Sequence, residues 1–476
     1  MGRGFAAWRP VIGCLVATVT LGAAAACTAG GGSPTSPSSG TRASAPTSPA
    51  SAPATALGRS GPVPALPARA LASPGCSGAT ATGAALGSAG TSSVQAGSPF
   101  GVAATPDGRW AFAVSSASGS VVVLRLGSGT GPAPAVTKVR SIPLSSAADA
   151  GAAVTPDGKY LLVAEGSGAV VISVARAEAG AAGAVLGSLT MPSPTEPRGT
   201  AGAGSAGAAA DLDSAIEVAV SPDSRFAFVT LEYADEAAVF DLANTVAHGF
   251  GAADYVGVIP LGQAAVGMAV SPDGRWLYAT SEAATSRQQP TGLGSPGGCQ
   301  GRVPGTSPGE SPGTLSVINL RQAETDPAQS VTATVDAGYQ PVRVVTAADG
   351  TEVWVTARAS DDVLCFAAAR LAADPAHALV AVTRVGSEPV GLAAVRGGTL
   401  LVVADSNRFG ATGANADLSV VSVPAALAGR PAVLGNLASG QFPRDMAVSP
   451  SGTLLVSDFS SGQVQAIATA ALPSGS

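Results

Sequence analysis

Ser271-Pro-Asp-Gly-Arg275, followed at once by Trp276-Leu-Tyr-Ala-Thr280, recurs in variant form along most of the chain. Thr105-Pro-Asp-Gly-Arg-Trp-Ala-Phe-Ala-Val114, Thr155-Pro-Asp-Gly-Lys-Tyr-Leu-Leu-Val-Ala164 and Ser221-Pro-Asp-Ser-Arg-Phe-Ala-Phe-Val-Thr230 are close copies. Ala348-Asp-Gly350, Arg396-Gly-Gly398 and Ser449-Pro-Ser-Gly452 are weaker ones, which makes seven copies. Pro fixes φ, Asp bonds its own backbone and Gly accepts a left-handed angle, so Ser/Thr-Pro-Asp-Gly is a tight turn between antiparallel strands.

A short small-and-apolar run precedes each turn, as at Val102 to Ala104, Val218 to Val220, Met268 to Val270 and Met446 to Val448. A run rich in aromatic and β-branched residues follows it, and both compositions predict strands. A third run stands further on at Val121 to Leu124, Val170 to Val174, Leu315 to Ile318, Val363 to Phe366 and Leu418 to Val423. A fourth is visible at Thr137 to Ile142, Val256 to Ile259, Val331 to Val335 and Val380 to Val385.

Four antiparallel strands repeated at this period predict an all-β fold, a β-propeller. The turn Asp or its equivalent stands at 107, 157, 223, 273, 349, 397 and 451, giving spacings of 50, 66, 50, 76, 48 and 54. The two long spacings carry low-complexity insertions, at about 193–213 and 284–313. The last unit has only three strands, so its fourth is expected from the segment between Ala79 and Ala96, closing a ring of seven blades over residues 73–476.

The chain has 476 residues, 46% hydrophobic and 12% charged, which is ample for a large core. A net charge of −6 argues against a nucleic-acid partner, which would need a basic surface. The two lysines, Lys138 and Lys159, make no polybasic membrane patch.

At the N-terminus, Arg3 and Arg9 precede an apolar region, Val11 to Leu21, and a small-residue cleavage site, Ala23-Ala-Ala-Ala-Cys27. Residues 1–26 resemble a bacterial lipoprotein signal peptide, which implies Cys27 as the lipidated residue and a place outside the cell membrane, attached only through the lipid. Ordinary cleavage and secretion is the alternative. Residues 27–72 are Ser, Pro, Gly, Thr and Ala with almost no charge or aromatic, the composition of a disordered tether. Export would make a disulfide between Cys76 and Cys299 feasible, since both sit among turn residues. Cys365, inside a strand, reads as a buried small hydrophobe.

The phrase Val266-Gly-Met-Ala-Val-Ser-Pro-Asp-Gly-Arg-Trp-Leu-Tyr-Ala-Thr280, the run Pro389-Val-Gly-Leu-Ala393 and the strand Leu315-Ser-Val-Ile-Asn319 resemble the YVTN-type propeller repeat. That repeat occurs in YncE-like and lactonase-like propellers. The resemblance covers residues 80 to 470 and speaks to fold rather than activity, because one fold hosts many functions.

A local site is expected at the end of the ring opposite the Pro-Asp-Gly turns. Aligning the starts of the first strands gives Gly101, Ala152, Glu217, Gly267, Arg343, Gly391 and Asp445, four small and three charged residues. Small residues there would leave the channel mouth open, with Glu217, Arg343 and Asp445 pointing into it. The ends of the second strands add Glu165, Glu232, Glu282, Arg358, Asp405 and Asp458.

This acidic mouth supports two chemical readings beside the plain one of solvated loops. Glu217, Asp445, Glu165, Asp405 and Asp458 could supply oxygen ligands for Ca²⁺. Alternatively, Glu217 and Asp445 could act as acid and base in a lactonase-like hydrolase, with Arg343 or Arg358 orienting an anionic substrate. The histidines, His248 and His377, have no metal-ligand companions at useful spacing, and no nucleophile motif occurs. The leading expectation is therefore a monomeric, lipid-tethered propeller that binds or scaffolds a protein or cell-wall partner without catalysis; the hydrolase is the alternative.

Overall fold

The computed structural model describes residues 71–75, 80–81, 83–87, 90–127, 133–145, 150–192, 215–251, 254–284, 312–408 and 416–475. The signal segment 1–26, Cys27, Cys76, Cys299 and nearly all of both insertions lie outside the described residues, as does most of the tether.

Seven four-stranded antiparallel sheets form a β-propeller. The innermost strands are Pro99–Ala104, Ala152–Val154, Ala215–Val220, Gln263–Val270, Pro341–Thr346, Pro389–Val395 and Pro443–Val448, for blades one to seven. Each touches the next around the circle, and that of blade seven meets that of blade one. Thr91–Gln95 pairs antiparallel with Gln463–Ala468 as the outer strand of blade seven, so the expected N-terminal closing strand is the one found. Closure of this kind ties the two ends of the ring into one sheet.

The repeat sequence builds the turn end in a uniform way. In blade one the Thr105 hydroxyl donates to Asp107 Oδ1 (2.5 Å), which also accepts the Arg109 N–H (3.0 Å). Blades two, three and four repeat the arrangement through Thr155, Ser221 and Ser271. Gly108, Gly158, Gly274 and Gly350 all take φ near +70°, the angle that the turn requires. A Cβ added at Gly158 would lie 3.5 Å from Pro106, and one at Gly274 3.2 Å from Pro222, so each turn rests on the turn of the blade before it.

The core lies between blades. Phe112, Phe228, Tyr278 and Trp354, all on second strands, are fully buried there, while Trp110 and Trp276 at the strand starts are partly buried against the same core. Cys365 is buried too. The sequence reading missed short helices after the third strands, such as Val174–Ala179, Leu242–His248 and Val423–Leu427. Ser173, Asp241 and Ser422 end their strands and cap these helices by accepting an N–H of the first turn.

Residues 71–75, 80–81 and 83–87 lie along the outer edges of blades five and six. The Leu71 N–H donates to Leu379 O, Ala81 N–H to Val385 O and Leu86 N–H to Asn436 O. Sheet edges that would otherwise be open there are thereby covered. Among the described residues no helix is long and apolar enough to cross a membrane.

Candidate functional site

Six of the seven innermost strands shift register near the mouth end, and in five the shift leaves two residues unpaired: Phe100 and Gly101, Ile216 and Glu217, Val266 and Gly267, Val342 and Arg343, Val390 and Gly391. In blade seven the shift leaves Arg444 unpaired, next to Asp445. Bulges re-aim side chains, and these re-aim them toward the axis.

The second of each pair is the position that the sequence alignment selected, and it holds an ionic bridge across the channel. The Arg343 guanidinium of blade five pairs with Glu217 of blade three and, at 3.4 Å, with Asp445 of blade seven. The other Asp445 oxygen accepts the Val102 N–H of blade one at 2.9 Å. All three side chains are largely buried. Burial pushes the Glu217 carboxyl up, against the pull of Arg343 and with help from the Asp445 charge, to about 7. Burial draws the Arg343 guanidinium down, yet Glu217 and Asp445 hold it above its usual value. The carboxyl is thus the member of the pair that titrates, and the arginine is a fixed cation.

The small residues in this layer do not open the mouth, contrary to expectation. A Cβ on Gly101 would lie 2.6 Å from Ala150 O of blade two, and one on Gly391 2.8 Å from Arg444 O of blade seven. Glycine is there because neighbouring strands approach closely. Gly151 makes the room that Glu217 needs, since a Cβ on it would meet Glu217 Oε1 at 2.7 Å.

Hydroxyls that the sequence reading passed over set this layer in place. The Thr356 hydroxyl accepts the Arg343 N–H (3.0 Å) and donates to Val390 O of the next blade (2.9 Å). Thr230 does the same for Glu217 and Val266 O, Thr280 for Gly267 and Val342 O, and Ser457 for Asp445 and Phe100 O. Each hydroxyl replaces a ladder bond that the bulge removes and stitches one blade to the next. Its sequence signal is a Thr or Ser late in the second strand, opposite each charged position.

The second-strand residues divide into two sets, one register position apart. Glu165, Asp405 and Asp458 are the sixth residues of their second strands, whereas Glu232, Glu282 and Arg358 stand one residue further on, seventh from the start of theirs. Asp405 and Asp458 are fully buried beneath the loops of their own blades: a Cβ on Gly386 would meet Asp405, and one on Gly440 would meet Asp458. Ser419 donates to Asp405 (2.6 Å) and Gln463 to Asp458 (3.0 Å). Burial raises the Asp405 carboxyl well above its usual value, and the Asp458 carboxyl to about 6. Glu165 accepts from Ser145 in blade two. The five carboxylates grouped in the sequence reading therefore do not form one cluster; only Glu217 and Asp445 come together, across Arg343. Among the described residues, no three His, Cys, Asp or Glu side chains are grouped to hold a metal ion. His248 is exposed and bonds to Asn244 O, and His377 is exposed and pairs with Asp374.

Arg358 reaches Glu282 at 2.8 Å. Burial raises the neighbouring Glu232 carboxyl, and Glu282 adds to the effect. One residue nearer the mouth than the ionic bridge, Phe100, Ile216, Val266, Val342 and Val390 form an apolar ring. Blade seven contributes Arg444 to that ring. Its guanidinium lies 3.5 Å from the centroid of the Phe100 ring and 5.5 Å from that of Phe442.

No family model and no curated protein sequence matches this chain. Solved structures do. Kuenenia stuttgartiensis hydrazine synthase aligns over 80% of this chain and 98% of its own, at 15% identity and a TM-score of 0.55. The β-propeller domain of Myceliophteria thermophila Cps50 (Swd1) aligns over 79% of this chain and 99% of its own, at 13% identity and a TM-score of 0.52. Identities this low establish the shared propeller fold and nothing finer.

Proposed function

We propose that this protein is an exported propeller, tethered through Cys27 in the manner of a bacterial lipoprotein, that acts as a non-catalytic binding or scaffold module for a protein or cell-wall partner. The observation that carries the non-catalytic part is the Arg343 bridge. The two carboxylates best placed for chemistry are spent on a cross-channel ion pair, and hydroxyl clamps fix the backbone of all three members. A pair held this way rigidifies a ring better than it turns over a substrate. The lipoprotein-like N-terminus and the Ser/Pro/Gly/Ala stretch behind it support the tether. The YVTN-type phrases at Val266 to Thr280 and Pro389 to Ala393 support kinship with that repeat family.

Detergent-phase partitioning of the full chain tests the anchor: the wild type should enter the detergent phase and Cys27→Ser should not. A second reading is favoured by one feature, the Glu217 carboxyl raised to about 7, a value suited to proton transfer near neutrality. A panel of aldonolactones decides between the two. The module reading expects no turnover; hydrolysis lost on Glu217→Gln and on Asp445→Asn would establish the lactonase instead.

A further inference from the structure

Arg444 is the feature of the mouth that the ring's architecture does not explain. Its ring neighbours are Phe100, Ile216, Val266, Val342 and Val390, where apolar side chains close the channel by packing. Arginine in the seventh place introduces a charge at a site that hydrophobic packing would fill without cost. The buried arginines are matched, Arg343 by Glu217 and Asp445 and Arg358 by Glu282, whereas Arg444 is partly exposed at the mouth. Among the described residues Arg444 has no ion pair of this kind. Its Nε is buried without a hydrogen-bond partner, and its contacts are the faces of Phe100 and Phe442. Burial, with Arg343, Arg408 and Arg358 close by, brings the guanidinium down to about 9 against the pull of the neighbouring Asp445 carboxylate, which is itself taken up by Arg343 and the Val102 N–H. A cation under that strain gains from any anion that reaches it, and a guanidinium fork suits a carboxylate.

The surroundings set what is attached to the anion. Phe100 packs edge-on to Phe459 (centroids 6.1 Å apart), and Phe459 packs edge-on to Phe442 (5.5 Å). Phe442 and Phe459 are both partly exposed at the mouth. A cation set among aromatic faces matches a ligand with one negative end and an apolar body.

Deepening the module reading and resting on it, we propose that the channel mouth binds a small organic carboxylate with an apolar or aromatic body, its carboxylate on the Arg444 guanidinium and its body against Phe442 and Phe459.

The test is calorimetric titration and thermal melting of the full chain with benzoate, and with benzamide as its neutral counterpart of similar shape. Benzoate should bind and raise the melting midpoint, as a ligand of the folded state must, and benzamide should not. Arg444→Gln should weaken benzoate by about ten-fold or more, and Arg444→Lys, which keeps charge but not the fork, by less. Equal binding of benzoate and benzamide, no benzoate binding into the millimolar range, or undiminished binding by both variants would overturn the proposal. The wild-type comparison of the two probes stands whether or not a variant folds. Failure here leaves the module reading intact, whereas lactone turnover lost on Glu217→Gln would end that reading without touching the benzoate result.

Discussion

The two ends of the ring are built from the same strands and obey opposite rules. At the turn end blades one to four repeat one local device, a hydroxyl and an Asp closing a Pro-Asp turn over its own backbone. Burial pushes the Asp107 and Asp157 carboxyls up, but hydrogen bonds from Thr105 and Thr155, from the turn N–H groups and from Arg109 and Lys159 together outweigh it, and at Asp273 the Ser271 hydroxyl leads; all three carboxyls lie below the usual value. At the mouth end burial wins, and Glu217, Asp458, Asp362 and Asp405 are all pushed up. Stability at one end is local and repeated, while at the other it depends on residues brought together from blades three, five and seven. Function is better placed at the mouth end, where charged side chains from distant blades converge.

The sharpest way to break the contrast is to remove the cation of the bridge. Arg343→Met should leave Glu217 and Asp445 facing each other without compensation, at a cost of about 3–5 kcal/mol in urea unfolding. Replacing all three members by apolar residues of similar volume should restore much of that loss, because the pair offsets its own desolvation and little more. If Arg343→Met were neutral, the bridge would not be the element that holds the mouth together. The clamps come next. Thr356→Val keeps the shape but leaves the buried Arg343 N–H and Val390 O without their partner, for an expected loss of about 2 kcal/mol. An unchanged midpoint would mean that the bulges are self-supporting.

How much of this the sequence revealed follows the same division. The turn end was legible because one short phrase specifies the first four turns, and three weaker copies carry the period on to seven. The positions of Glu217, Arg343 and Asp445 on one layer were legible too, since each stands six residues before its turn Asp or the equivalent, at 223, 349 and 451; in blade two the same count reaches Gly151 rather than Ala152. Their pairing was not, because a bridge between blades 102 and 126 residues apart in sequence (217 to 343 is 126, 343 to 445 is 102) leaves no local pattern. Bulges defeated the reading of the small residues: Gly101 and Gly391 look like gaps until the neighbouring strand is placed against them. At the second-strand ends, a one-residue slip merged Asp405 and Asp458 with Glu232 and Glu282, and one residue is the difference between a buried side chain and the channel rim. Arg444 went unnoticed for the same reason.

Titration should separate the two ends by sign. The Asp458 carboxyl is raised in the folded state, so its proton contributes stability that is fully present below the unfolded value of 3.8 and is lost as pH rises through about 6. Asp458→Asn should therefore stabilise the ring at pH 7, by roughly 1–2 kcal/mol, and change little near pH 4. Asp107 is lowered, so its contribution is present above 3.8 and is lost as pH falls through the folded value. Asp107→Asn should accordingly destabilise at pH 7 and be silent in strong acid. Thermal melts of the two variants against pH would show curves diverging from wild type in opposite directions; parallel curves would erase the distinction between the ends.

The smallest expected effect tests whether the turn end is as uniform as it looks. Blade three reads Pro-Asp-Ser where its neighbours read Pro-Asp-Gly, and Ser224 is held at φ +61°, a conformation that favours glycine. Glycine there would relieve up to about 1 kcal/mol of strain. The serine is not idle, however: its hydroxyl accepts the Asp157 N–H of the blade-two turn at 3.1 Å, a bond worth about 1 kcal/mol, and glycine would also free the unfolded chain. The terms nearly cancel, so Ser224→Gly should move the urea midpoint by less than about 0.5 kcal/mol in equivalent stability, with an unchanged slope. Gly274→Ser, the reverse change one blade on, has no such compensation, because its added Cβ would come within 3.2 Å of Pro222. It should cost about 1 kcal/mol or more. Equal effects from the two substitutions would mean that the strained serine is tolerated without its bond to blade two, and that the turns are independent rather than stitched from blade to blade.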